Sequence, residues 1–415
     1  MGEKLEIPRD ASFDATLALL RHGYEFVSRR ADSLGADIFR TRLLLSPVIC
    51  MRGAEAAALF YAPGRFLRDG AAPPTTVRLL QGRGSVQLLE GDAHHRRKAM
   101  FMSILSAENS ERLVDVFEAE WRARLADWET AGRITLLEEA RRVLCKSVCA
   151  WAGAPLPAED IGRRSRQFAA MIEGAGVNVL AMLRGLVERA RVERWVRRLI
   201  LAERERPAAD PASALHAIAH HRDASGAMLP LPVATLEVIN ILRPVVAIDR
   251  FIMFAAHALH QNPHERARLR DDPGRSLAFV NEVRRFYPFF PVSAGLSREA
   301  FEWRGYSFRP RDWVMLDLYG TNHDPRLWAR PHAFDADRFQ SEPPPNALIP
   351  QGGGDHATGH RCAGEGVTVA IMRRAVELLT RAMEYDAPPQ DFTVPLNEIP
   401  SRVRSGFVME RIRRL

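Results

Sequence analysis

Cysteine is scarce: the 415 residues contain four, Cys50, Cys145, Cys149 and Cys362, too few and too irregularly spaced for a secreted disulfide framework. Cys145 and Cys149 stand four apart in "RRVLCKSVCAWAG", share one helix face, and read as buried small hydrophobes rather than metal ligands. Internal repeats, low-complexity tracts and a basic tail are also lacking. The opening "MGEKLEIPRDASFDATLALL" has no apolar h-region, so a cytoplasmic enzyme without a membrane anchor is the default expectation. After "MG", Lys4 and Leu5 do not complete an acylation signal. A net charge of +7 and a pI near 9.6 raise the question of an anionic partner. The basic residues are nevertheless scattered among acids rather than gathered in an aromatic-interleaved stripe, which speaks against nucleic-acid binding.

What is present suits a large folded body. A chain that is 47% hydrophobic and 26% charged is globular and can bury a sizeable core. Length alone would allow two or three domains, but the pattern reads as one mostly helical domain over 1–415. The runs "AENSERLVDVFEAEWRARLADWE", "ITLLEEARRVLCKSVCAWAG" and "RGLVERARVERWVRRLILAERER" carry apolar residues at i, i+3, i+4 and i+7 and predict amphipathic helices. Strand-like alternation is confined to "DIFRTRLLLSPVICMRG" and "AFEWRGYSFRPRDWVML", with turns expected at Arg304-Gly305 and Arg309-Pro310. "RERPAADPASA" and "SEPPPNALIPQGGG" read as Pro-rich loops. The fold class predicted is therefore mainly α with small β-sheets.

The stretch from Leu231 to His260 is apolar nearly all round and predicts one long central helix; Arg243, Pro244, Asp249 and Arg250 interrupt it too early for a transmembrane span. Within it, "INILRPVVAIDRF" is unusual. A buried guanidinium needs a counter-ion, and a proline inside a helix removes a hydrogen bond and bends the axis. Chemistry also gathers in "IPQGGGDHATGHRCAGEGVTVAIMRRAVELL", where glycines surround Cys362 and an amphipathic helix follows. Such glycines let backbone approach a flat ligand and aim N–H groups at one sulfur, and the helix N-terminus favours a thiolate. Companion ligands for zinc and an orienting base for a nucleophilic cysteine are not evident nearby. His360 and Arg361 are placed to meet carboxylates of a large cofactor. Upstream, Glu282 and Arg285 in "FVNEVRRFYPFFP" share a helix face at i, i+3, and "HAFDADRF" adds Arg338.

An E-x-x-R helix, a D-x-D-R-F meander and a glycine-framed cysteine, in that order, resemble the cytochrome P-450 superfamily. The resemblance implies haem b with Cys362 as axial thiolate, which favours O–O cleavage, and a bracing network of Glu282, Arg285 and Arg338. Two departures stand out. The positions seven, four and two before the cysteine, usually aromatic, Gly and Arg, are Asp355, Thr358 and His360. The acid-alcohol pair that ordinarily relays protons on the central helix is replaced by "ILRPVVAI". Both departures resemble one branch, the bacterial fatty-acid peroxygenases, and the similarity runs from about "GSVQLLEGDAHHRRKAMFMSIL" to "GFVMERIRRL", including "LDLYGTNHDPRLW".

That resemblance implies an enzyme that uses hydrogen peroxide to hydroxylate medium- or long-chain fatty acids at the alpha or beta carbon, with no redox partner. Arg243, beside Pro244, would hold the substrate carboxylate, which then serves as the acid-base group. Gln87 matches a position over the haem that is Gln in hydroxylating members and His in a strongly decarboxylating one, so terminal alkenes are expected only as a minor product. His94 and Lys98, at i, i+4, and Arg68 read either as propionate ligands or as a plain basic surface. Gln81 replaces a tunnel aromatic, and Phe289 and Phe290 read as pocket lining or core.

Overall fold

The computed structural model describes residues 5–176, 178–205, 210 and 212–415. The N-terminal Met-Gly and Lys4, part of the Pro-rich "RERPAADPASA" loop, and Val177 of "IEGAGVNVLAM" lie outside the described residues.

Periodicity became helix where it was strongest. Ala107–Ala131 starts on Ser106, whose hydroxyl accepts the Asn109 amide at 3.3 Å, and stops at Gly132 in the left-handed region. Its apolar stripe of Leu113, Phe117, Trp121, Leu125 and Trp128 is buried, and the two tryptophans meet edge to face at 5.0 Å. Leu136–Trp151 packs beside it and buries Cys145 and Cys149 completely, so both cysteines behave as small apolar side chains. Val179–Glu205 and Ala158–Glu173 form a further packed pair.

The strands form where alternation is seen. Ile38–Leu43 and Ser46–Met51 make a hairpin in register Leu43↔Ser46, turned by Leu44 and Leu45, both at positive φ. Ser46–Met51 pairs in parallel with Trp313–Asp317, and Val292–Ser297 and Phe66–Leu67 complete a five-stranded sheet. Phe301–Trp303 and Tyr306–Phe308 form a separate hairpin through Arg304 and Gly305, which both take positive φ as a two-residue turn requires. Sheets are thus small appendages to a mainly helical body.

The predicted single central helix is instead two, Leu231–Val246 and Asp249–Gln261, separated at Ala247–Ile248. Pro244 supplies no N–H to the carbonyl of Asn240, and the next turn tightens, with the Ile248 amide reaching Val245 at 3.1 Å. Together the 231–261 stretch is apolar and long enough to cross a membrane, but 72% of its most apolar window is buried inside the fold. Within 234–246 every residue is buried except Pro244. The core helix therefore opens on one side at the Arg-Pro pair.

Candidate active site

Two neighbouring residues of the Gly91–Ile104 helix tie the central helix to the cysteine loop. Arg97 donates to Glu237 on the central helix at 2.6 Å, while Lys98 donates to the carbonyl of Arg361, directly before Cys362. The segment leading into this helix is fastened as well: the Val86 amide donates to Glu237 at 2.8 Å, and Asn240 donates to Gln87 at 3.2 Å. Gln87 is thereby held one turn from Arg243 on the central helix, and the same Asn240 amide lies 3.5 Å from the carbonyl of Gln81.

Glu237 was the one acid in the sequence near enough along the helix to compete for Arg243. It is fully buried and already receives Arg97, Val86 and Asn240. Arg243 is buried, and among the described residues it has neither an acid within ion-pair distance nor a hydrogen bond to its Nε. Desolvation, with repulsion from Arg189, pushes its guanidinium down to about 9. Arg189 is itself occupied, donating to Glu193 at 2.8 Å and to the carbonyl of Leu79. A cation kept inside the core without a protein counter-charge is costly, and a carboxylate brought from outside would relieve it.

Around Cys362, the Gln351 carbonyl accepts the Cys362 amide at 3.3 Å, and Gln351 Nε2 lies 3.8 Å from Sγ. The Gly364 amide points at the sulfur, and the cations of Lys98 and Arg284 favour its ionised form. Burial opposes them and raises the free thiol. The triple glycine also accommodates a neighbouring ring. A Cβ on Gly354 would come within 2.7 Å of Tyr61 Cβ, and Gly353 faces the same ring at 3.1 Å. Their missing side chains make room for Tyr61, whereas at Gly364 no atom stands nearer than Sγ, at 3.9 Å.

The predicted cofactor ligands divide into two groups. His94 and His360 stack at 4.1 Å; burial drives His94 down to about 4 and lowers His360, so both are neutral near pH 7. Lys98 repels His94, and Arg68 repels His360. Arg68 donates to the carbonyls of Phe60 and Ala294 at 3.2 Å, its Nε has no partner, and desolvation lowers it. Glu90 lies 3.6 Å from His360 and accepts the Arg68 amide at 2.9 Å. Arg361 stands apart: it pairs with Glu365 at 2.5 Å, and the same carboxylate takes Arg284. This Arg284–Glu365–Arg361 chain was not singled out from the sequence; the acid in the first turn after the cysteine was its only signal.

Glu282 and Arg285 form a bidentate pair with both contacts at 2.7 Å, fully buried. Arg285 also donates to the carbonyls of Asn322 and Pro331, and Arg338 Nε approaches Glu282 at 3.1 Å. Phe289 stacks on Phe251 at 4.2 Å as a core ring does, while its neighbour Phe290 is exposed.

A half-buried thiol with an amide aimed at it, a partly unsatisfied basic cluster of Arg68 and Lys98, and an opening at Pro244 suit an anionic, flat, metal-bearing macrocycle. The comparisons with known proteins agree. The family profile described as cytochrome P-450 matches residues 277–406. Among curated proteins, chicken (Gallus gallus) cytochrome P-450 26A1 is 22% identical over 92% of this chain and 86% of its own. Among solved structures, cytochrome P450SP alpha (CYP152B1) is 42% identical with a TM-score of 0.94, covering 97% of this chain and 99% of that one. Cytochrome P450EX alpha (CYP152N1), solved with myristic acid, is 40% identical with a TM-score of 0.95 over 99% and 100% of the two chains. A variant of the cytochrome OleT bound to arachidonic acid is 33% identical, with a TM-score of 0.95 over 99% of each chain. This chain is an enzyme of the cytochrome P-450 family, in the bacterial fatty-acid peroxygenase branch that its sequence resembles.

Proposed function

We propose that the protein is a haem-thiolate peroxygenase that hydroxylates medium- or long-chain fatty acids at the alpha or beta carbon, with hydrogen peroxide as oxidant. The balance is a C–H bond and H2O2 giving C–OH and water, so no reductant or redox partner is consumed. The carrying observation is Arg243, a buried cation with no acid at ion-pair distance among the described residues, beside an exposed Pro244.

Cys362 would hold haem b, with Arg68 and Lys98 as cations and the neutral His94 and His360 as hydrogen-bond partners for its carboxylates, and the haem would supply peroxide activation and oxygen insertion. Arg361 would act indirectly, through Glu365 and the position of the loop. Arg243 binds the fatty-acid carboxylate through its planar fork and stays charged at neutral pH, since even at about 9 its proton is retained. The anchored carboxylate takes a proton from peroxide and returns it to the departing oxygen, a role that no acid of "ILRPVVAI" can fill. Holding the head group fixes the alpha and beta carbons as the nearest C–H bonds, so regiochemistry follows from proximity.

Gln87, braced by Asn240, is a poor proton donor and supports hydroxy acids over terminal alkenes, with decarboxylation a minor outlet. Gln81 and Phe290 belong to the substrate channel in this reading, and Phe289 to its inner wall. Glu282, Arg285 and Arg338 are bracing residues. The domain is single, from 1 to 415, and the setting cytoplasmic.

The test is mass spectrometry of products after incubating purified protein with hydrogen peroxide and a panel of fatty acids, without reductant. Alpha- and beta-hydroxy acids are expected. Turnover that needs a reductase and dioxygen would instead make it a conventional monooxygenase, and fatty-acid binding without any product would make it a binding protein.

A further inference from the structure

Away from the candidate active site, Glu203 near the end of the Val179–Glu205 helix meets His216 and His220 of the short Ala214–Ala219 helix and its C-cap. The histidines are four apart, so their rings lie one above the other, with centroids 4.6 Å apart. Glu203 Oε1 is 2.8 Å from His216 Nδ1 and 4.0 Å from His220 Nε2. Glu203 is buried and the histidines half-buried, so the cluster sits at the edge of the core, open on one side.

A hydrogen-bonded His–Glu pair bracing two helices would explain His216. It does not explain His220, whose Nε2 is buried without a hydrogen bond among the described residues. The scaffold is also tied on both sides of the cluster. Arg204, next to Glu203, donates to the carbonyl of Ala219 at 2.9 Å and to that of Leu229 at 2.7 Å, which fixes the backbone just before His220. Ser213 caps the start of the short helix by accepting the His216 amide at 3.3 Å.

We propose that Glu203, His216 and His220 bind one divalent transition-metal ion, with zinc, nickel and copper(II) the species suited to two imidazoles and a carboxylate. With metal–ligand bonds of about 2.0–2.1 Å, neighbouring ligand atoms stand roughly 2.9–3.4 Å apart. The Glu203–His216 edge is close to that spacing, and, with all three ligand atoms within 4.8 Å of one another, His220 needs to move by at most roughly 2 Å to complete it. Three protein ligands leave coordination positions for water, and the bound ion would clasp the ends of the two helices together.

The experiment is calorimetric titration of the full-length, tag-free haem-loaded protein with zinc sulfate in a non-coordinating buffer. The proposal expects one ion per chain, with affinity falling at least about tenfold in His216→Ala, in His220→Ala and in Glu203→Gln. His264→Ala, an exposed histidine near Glu265, should leave it unchanged. Absence of stoichiometric binding in the unmodified protein, or less than about tenfold weakening in both histidine variants, overturns it. Should a variant lose its haem absorbance or helical circular dichroism, anomalous scattering from zinc-soaked crystals of the unmodified protein decides instead. Density among the three side chains supports the site, and density only elsewhere refutes it.

Discussion

Replacing Arg243 with leucine should make the ligand-free protein more stable while disabling it toward fatty acids. The fall from the ordinary arginine range to about 9 that burial and Arg189 impose on this guanidinium is large. At about 1.4 kcal/mol for each pH unit, holding the charge in the folded state costs on the order of 5 kcal/mol. The sign follows from the group being a cation with a depressed folded value. The penalty is fully present below about pH 9 and shrinks as pH rises beyond it toward the ordinary arginine range. Leucine removes that penalty but fills the space imperfectly, giving back about 1–3 kcal/mol. The net gain is roughly 2–4 kcal/mol, or a rise of a few degrees in Tm for a chain of this length. Thermal denaturation of the haem-loaded, fatty-acid-free protein measures it. In parallel, losing a buried charge-assisted carboxylate contact, worth about 2–5 kcal/mol, should weaken fatty-acid affinity by roughly 30-fold to several thousand-fold. A variant less stable than the parent by more than about 1 kcal/mol would mean that Arg243 has a counter-charge within the protein and would refute the reasoning. So would fatty-acid affinity unchanged within about threefold.

Short carboxylates such as acetate should let the unmodified protein oxidise molecules that lack a carboxyl group, by occupying Arg243 and restoring the acid-base group; peroxide assays with and without acetate check this, and no stimulation would count against substrate-assisted proton transfer. The kcat/KM for a fatty acid should hold steady up to about pH 9 and decline above it as free Arg243 loses its proton, and a pH profile flat well beyond that value would detach binding from this residue. Glu282→Gln leaves the buried Arg285 and Arg338 without their carboxylate, and urea unfolding should register a loss of about 3–5 kcal/mol with reduced haem retention. Gln87→His should raise the share of terminal alkene among the products seen by gas chromatography, and an unchanged product ratio would remove Gln87 from the proton economy of the site.

Much of this protein is legible along the chain because its signals are local. Helical stripes such as Leu113, Phe117 and Trp121, the Arg304-Gly305 turn and the i, i+3 pair of Glu282 and Arg285 depend on residues within a few positions of one another. The pattern around Cys362 and the Arg243-Pro244 pair are short motifs of the same kind. What the chain alone did not reveal is how partners far apart in sequence divide the charges. Arg97 claims Glu237 across 140 positions, Arg284 claims Glu365 across 81, and Tyr61 occupies the space left by the triple glycine. The His–Glu cluster beside Ser213 also emerges only once helices pack, whereas the break at Ala247–Ile248 follows from the local signal of Pro244. Apolar periodicity is a property of neighbours on one helix, so the sequence by itself determined which segments are helical and which residues are chemically suspicious. Whether a buried Arg is neutralised or left waiting for a ligand depends on which acid the packing brings within ion-pair distance, and only the tertiary structure decided that for Arg243.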